Sequence, residues 1–209
     1  MFLATMPASS HSSARAWQRM LSGRRLDILS PSPLDIEIDD IAHGLARVAR
    51  WNGQTSGKYG FSVAQHSVLV EQILSLNAPQ LAQKWYLACL LHDAPEYVIG
   101  DMITPFKAAI GTPYKKIESL LQEAVHIRFG LPAELPIGIA QSIKRADRMA
   151  AYLEATELAG FSDTDAGKLF PKPRGTPKGI DLTPLSPEKA TRSFLQRFDV
   201  LFGRNGPAR

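Results

Sequence analysis

At roughly 150 residues per domain, the 209 residues correspond to one domain with additional segments. With 44% hydrophobic, 21% charged and 8% aromatic residues the chain can bury a real core, which excludes wholesale disorder, and no run approaches the roughly 18 consecutive apolar residues of a membrane helix. Basic residues number 24 against 20 acidic, and four of the basic ones (Arg15, Arg19, Arg24, Arg25) lie in the acid-free opening Met1 to Arg25; the net charge of +4 therefore belongs to that end and is weak support for binding a nucleic-acid polymer.

The opening segment, residues 1–25, is also Ser-rich and formally resembles an organelle transit peptide. The plainer reading is a loose basic segment ahead of a domain over residues 26–209. Ile41, Leu45, Val48 and Ala49 recur at helical spacing and predict a helix over Asp39 to Arg50. After a Gly-rich loop, Ser62 with Gln65 three residues on has the capping-box pattern, so a helix is expected from Val63 to about Leu76. Pro79 opens the next helix, through Trp85, Ala88 and Leu91, and Pro95 ends it near Asp93. Residues 97–109 read as loop.

Thr112 followed by Pro113 reads as an N-cap with proline in the first turn, and Gly130 closes that helix. The longest helix is expected from Ile137 to Ala159, with Ile143, Ala146, Ala150 and Leu153 on one face and Gly160 as its stop. A Pro-rich loop over residues 162–186 precedes a last helix over 187–203. No repeat or alternating strand pattern stands out, so the fold class is all-α. The lone cysteine, Cys89, lies in the apolar run Trp85 to Leu91 and reads as a buried hydrophobe in a reducing, cytoplasmic setting.

Chemistry enters at Leu91-His92-Asp93, where two titratable groups end a run that otherwise reads as buried. Burying both unpartnered costs several kcal/mol, and a divalent metal removes that cost because imidazole and carboxylate are both ligands for Zn, Mn, Fe or Co. His66 shares a helix face with Val63, Val70 and Ile73, and Asp147 borders the stripe of Ile143, Ala146 and Ala150. Singly, each has a plainer explanation: a core histidine is usually hydrogen-bonded, and Asp147 could pair with Arg145 or Arg148 on a solvated face. The set of four on three helices points to one metal ion. His126 reads as surface, on the side of its helix away from the apolar stripe.

The order His66, then His92-Asp93, then Asp147 resembles the HD-domain metal-dependent phosphohydrolases, an all-α superfamily. Ser62-Val63-Ala64-Gln65-His66-Ser67, Leu91-His92-Asp93-Ala94-Pro95-Glu96, Gly100-Asp101-Met102-Ile103-Thr104-Pro105-Phe106-Lys107 and Ala146-Asp147 through Leu153-Glu154 are similar to the signatures of its bacterial 5'-deoxynucleotidase branch, over about Asp39 to Gly160. The resemblance implies a helical bundle with a single divalent metal (Co2+, Mn2+, Zn2+ or Fe2+) in its core, Glu96 orienting water or shuttling its proton, and a homodimer. It also implies that Arg50 and Trp51 hold the phosphate and exclude a ribose 2'-hydroxyl. Asp101 is read as an acceptor for the sugar, Thr104 and Pro105 as shaping its loop, and Lys107 as a cation for the developing phosphoryl charge. For Asp101, Thr104 and Pro105 ordinary turn chemistry is the competing reading, and for Glu96 an exposed loop carboxylate. The expected function is release of phosphate from nucleotides, deoxyribonucleoside 5'-monophosphates first, by attack of a metal-bound water. A triphosphohydrolase and a non-catalytic nucleotide-binding module are the alternatives.

Overall fold

Ser62 accepts a hydrogen bond from the Gln65 amide, and the helix it caps, Val63–Asn77, is the axis on which the rest of the chain packs. It is seen in a computed structural model that describes residues 16–172 and 180–203. Most of the basic opening segment, residues 173–179 of the Pro-rich loop and residues 204–209 lie outside the described residues. In chain order the elements are β1 (Trp17–Arg19), β2 (Arg25–Asp27), α1 (Ile38–Leu45), α2 (Val63–Asn77), α3 (Gln83–Leu90), α4 (Glu96–Ile99), α5 (Thr104–Ile110), α6 (Thr112–Arg128), α7 (Ile137–Glu157), α8 (Asp163–Leu169) and α9 (Pro187–Phe202). Among the described residues the fold is all-α apart from the β1–β2 hairpin, and α2 is wrapped by α7, α3 and α9. Val63, Ala64, Leu69, Val70, Ile73 and Leu74 are buried around α2, as befits a helix apolar on nearly every side. No helix among the described residues is long and apolar enough to cross a membrane.

Several expected boundaries move, and each moves for a tertiary reason. The first helix stops at Leu45 instead of Arg50, because the chain turns to pair with residues 61–63: the Val63 amide donates to Val48 O at 3.0 Å and the Arg50 amide to Phe61 O at 2.8 Å. The helix expected from Pro79 begins at Gln83, since the Leu81 amide turns back on Ala78 O. Residues 97–109, expected as loop, contain most of α4 and α5, of four and seven residues; helices so short form only where tertiary packing holds them. The Pro-rich loop likewise contains α8, capped by Ser162 onto the Asp165 amide. Gly111, at φ 72, holds the cap position assigned to Thr112, which is the first helical residue. The hairpin was not expected; it crosses position 25, buries Leu26, and docks its tip through Ser22 onto Asp40 of α1.

His126 is corrected from surface to core. Its Nδ1 donates to Ala133 O at 3.0 Å and Gln122 Nε2 donates to its Nε2 at 2.7 Å, because the chain folds back along α6 after Gly130 and covers that side. Gln65 also differs from a capping box: its amide donates to Thr183 O and accepts from the Leu185 amide, stapling the segment before α9 onto α2.

Gly44 lets the α1 backbone approach α4. A Cβ there would lie 2.8 Å from Tyr97 Cβ and 3.0 Å from its carbonyl oxygen. Overpacking against backbone costs about 1 to 3 kcal/mol, more than the ~1 kcal/mol alanine returns as a better helix former. Gly44→Ala is therefore expected to lower the urea midpoint, and an unchanged or higher midpoint would contradict the close approach.

Candidate functional site

His66 projects from the Val63-Val70-Ile73 side of α2 and is fully buried. His92 and Asp93 lie in the turn between α3 and α4, where the Leu91 carbonyl accepts from Gln122 of α6. Asp147 faces them from α7. His66 Nε2 is 3.4 Å from Asp93 Oδ2 and 3.4 Å from Asp147 Oδ1, and His92 Nε2 is 3.3 Å from Asp93 Oδ2. Ligand atoms of His66, His92 and Asp147 all lie within 4.8 Å of one another. Both Nε2 atoms are buried and make no hydrogen bond, despite the carboxylates nearby.

The other ring nitrogen of each histidine is committed. His92 Nδ1 lies 2.9 Å from Cys89 O, and a carbonyl can only accept, so Nδ1 carries the proton there. His66 Nδ1 meets the Glu154 carboxylate, and that interaction assigns the Nδ1 proton in the same way. Burial lowers the pKa of His92 and leaves it neutral, outweighing Asp93. For His66, burial and Arg50 push down, but Glu154, Asp147 and Asp93 win and raise it well above the usual range. Burial works to raise Asp93 and Asp147, and the imidazoles overcome it and hold both carboxyls well below their usual range. Burial raises the Cys89 thiol strongly, which removes it as a nucleophile.

The remaining expected residues gather on the same side. Arg50 donates through Nη1 to Asp101 at 2.9 Å and through Nε to Glu154 at 3.2 Å, leaving Nη2 without a hydrogen bond among the described residues. Burial alone would lower Arg50, but Glu154 and Asp101 raise it, so it stays charged. Trp51 donates through Nε1 to Glu154 at 2.9 Å, with its ring against Phe161 and Phe170. Its backbone is left-handed, φ 56 and ψ 30, a region bulky residues seldom occupy, so these contacts must hold it there.

Glu96 is buried at the start of α4 rather than an exposed loop carboxylate. Burial, then Asp93 and Asp101, push it up to about 9 against Lys107 and Arg50, and its Oε2 has no hydrogen-bond partner. Lys107 of α5 lies 3.2 Å from Glu96 Oε1 and 3.3 Å from Glu118 Oε1, so its charge is shared between two carboxylates. Thr104 and Pro105 form the first turn of α5; the Thr104 side chain lies outside the described residues.

The sequence reading missed three side chains. From α6, Glu118 accepts from Lys107 and from the Tyr114 hydroxyl, whose ring lies under the Lys107 ammonium, and Glu154 joins His66, Arg50 and Trp51. Glu154 carried a legible signal: it lies two helical turns beyond Asp147, on the same face of α7.

Asp93, Asp101, Asp147 and Glu154 converge here, with Arg50 against Asp101 and Glu154 and the exposed Lys144 on Asp147 Oδ2 at 3.1 Å. These carboxylates, with two buried imidazole nitrogens lacking hydrogen-bond partners, form a donor set that fits a divalent cation better than an empty core.

No protein-family model matches the chain. It is 56% identical over 188 residues to the uncharacterized protein RCAP_rcc00048 of Rhodobacter capsulatus, covering 90% of this chain and 96% of that protein. It is 31% identical over 169 residues to the uncharacterized protein YfdR of Escherichia coli K12, covering 80% and 85% respectively.

Proposed function

The chain belongs to the family that contains RCAP_rcc00048 and YfdR, and from its buried site we propose that it is an HD-domain, metal-dependent phosphohydrolase acting on deoxyribonucleoside 5'-monophosphates. One observation carries this reading: two buried imidazoles with Nδ1 tied down and Nε2 facing carboxylates without a hydrogen bond. His66, His92, Asp93 and Asp147 are the ligands. A divalent cation bound there supplies polarisation of a phosphoryl oxygen and acidifies water.

The chain's own groups do the rest. Arg50 remains charged between Glu154 and Asp101 and offers Nη2 to the phosphate. As water attacks phosphorus and the P–O5' bond breaks, one proton passes from the water to the 5'-oxygen by way of Glu96, whose Oε2 is buried and free of hydrogen bonds. Lys107 balances Glu96 while it is ionised. The free oxygen of Asp101 accepts the sugar 3'-hydroxyl. A cytoplasmic homodimer belongs to the same reading. Metal analysis followed by phosphate release over mono- and triphosphates tests it: bound divalent metal and metal-dependent orthophosphate from deoxynucleoside monophosphates are expected. Turnover unaffected by chelation would sink the reading, and tripolyphosphate release would move it to triphosphates.

Trp51 is the wall against ribose, kept rigid by Glu154, Phe161 and Phe170. A 2'-hydroxyl with neither room nor partner costs about 1 to 3 kcal/mol, so dAMP is expected to exceed AMP by roughly ten- to two-hundred-fold in kcat/KM. Trp51→Ala is expected to narrow that ratio. Equal turnover of the two by the wild type removes the sugar assignment.

A further inference from the structure

Glu154 is wholly buried on α7, and its carboxylate receives three groups from distant parts of the chain: His66 Nδ1, Arg50 Nε and Trp51 Nε1. Those groups carry three separate tasks in the proposed reaction, namely holding the metal, meeting the phosphate and walling the sugar. Glu154 itself performs none of them. All three partners are donors, and only an ionised carboxylate offers acceptors to them all; glutamine in its place has one accepting oxygen and turns an N–H at one of the three.

The contacts lock two kinds of geometry. On His66 the bond favours the proton on Nδ1, so the neutral ring that a metal ion would bind presents Nε2 as its lone-pair nitrogen toward Asp93 and Asp147. On the turn Arg50–Gly53 it ties down the side chain of Trp51, whose left-handed backbone at φ 56 is unusual for a bulky residue and runs into the Asn52-Gly53 pair that accepts such a conformation readily. Arg50 is further tied to Asp101, so the substrate face of the site is fixed through the same carboxylate that orients the metal ligand.

We propose that Glu154 is a positioning residue that couples metal binding to nucleotide recognition, by holding the His66 tautomer and the Arg50-Trp51 turn through one carboxylate. This rests on the proposed function, since it takes His66 as a metal ligand. Loss of such an outer partner typically weakens metal affinity about 10- to 100-fold.

The test uses full-length protein stripped of metal and titrated with Co2+ alone by calorimetry, wild type beside Glu154→Gln, with dAMP and AMP kinetics on the reloaded proteins. Glu154→Gln is expected to bind Co2+ about 10- to 100-fold more weakly and, at saturating Co2+, to show a smaller dAMP to AMP ratio with KM raised. A purely structural role predicts a lower unfolding temperature with both affinity and ratio unchanged, and that outcome overturns the proposal. Nitrogen-15 spectra of histidine-labelled wild-type protein loaded with Zn2+ give an answer that needs no variant: a proton on His66 Nδ1 supports the coupling, and a proton on Nε2 overturns it. Wild-type protein that binds no Co2+ defeats the proposed function and this inference together, whereas wild-type binding matched by Glu154→Gln defeats this inference alone.

Discussion

Asp93→Ala is expected to lose metal and turnover together, while Glu96→Ala keeps metal and nucleotide affinity and loses about 10²- to 10⁴-fold in kcat. The difference follows from position. Asp93 Oδ2 stands 3.4 Å from His66 Nε2 and 3.3 Å from His92 Nε2, so its removal takes a negative charge from between the two imidazoles. Glu96 contacts Lys107 through Oε1 and keeps Oε2 buried and unpartnered. Metal content by elemental analysis, nucleotide affinity by equilibrium binding, and single-turnover rates separate the two variants. Equal metal loss in both would show that Glu96 is a ligand and that the proton assignment is wrong.

Arg197→Ala is expected to cost about 3 to 5 kcal/mol of folding stability without changing the site's chemistry. Glu71 has no exposed side-chain surface in the middle of α2, and its only route to compensation among the described residues is Arg197 of α9, which donates Nε to Oε2 at 2.5 Å and Nη2 to Oε1 at 2.7 Å. Two parallel bonds to a carboxylate form the strongest geometry an arginine has, and removing the guanidinium strands a buried charge. This sets the pair apart from the exposed Lys168–Asp165 and Lys172–Asp163 pairs, which belong to a class worth about 0 to 1 kcal/mol. Because α9 packs on α1, α2 and α3, its loosening should appear in hydrogen exchange as early opening of residues 187–202. Replacing both Glu71 and Arg197 by leucine should recover part of the loss, since the stranded charge is gone. A loss below about 1 kcal/mol for Arg197→Ala would place this pair with the surface ones.

Helices whose signals are local were legible from the amino-acid order. The Ser62 cap and the apolar stripes of α2 and α7 act over short stretches of chain, so α2 lies where its cap puts it, α7 runs along its stripe but ends at Glu157, two residues short of the expected Ala159, and α9 covers Pro187–Phe202 of the expected 187–203. The same periodicity put His66 inside, and a carboxylate beside the stripe of α7 near it. Tertiary structure alone decided what depends on distant partners. The short helices α4, α5 and α8 are too brief to carry a periodic signal and rest on α1, α6 and α7 respectively, the first helix ends early because residues 48–50 pair with 61–63, and His126 is buried because a returning loop covers it. Lys107 reads in sequence as a free cation, yet Glu96 and Glu118 claim it. In sequence Glu154 shows its place on the Asp147 face of α7 but not its partners. Its meaning comes from Arg50, Trp51 and His66, which lie about a hundred positions earlier in the chain, and no local pattern reports a contact whose closure is decided only when α2, α7 and the Arg50–Gly53 turn pack together.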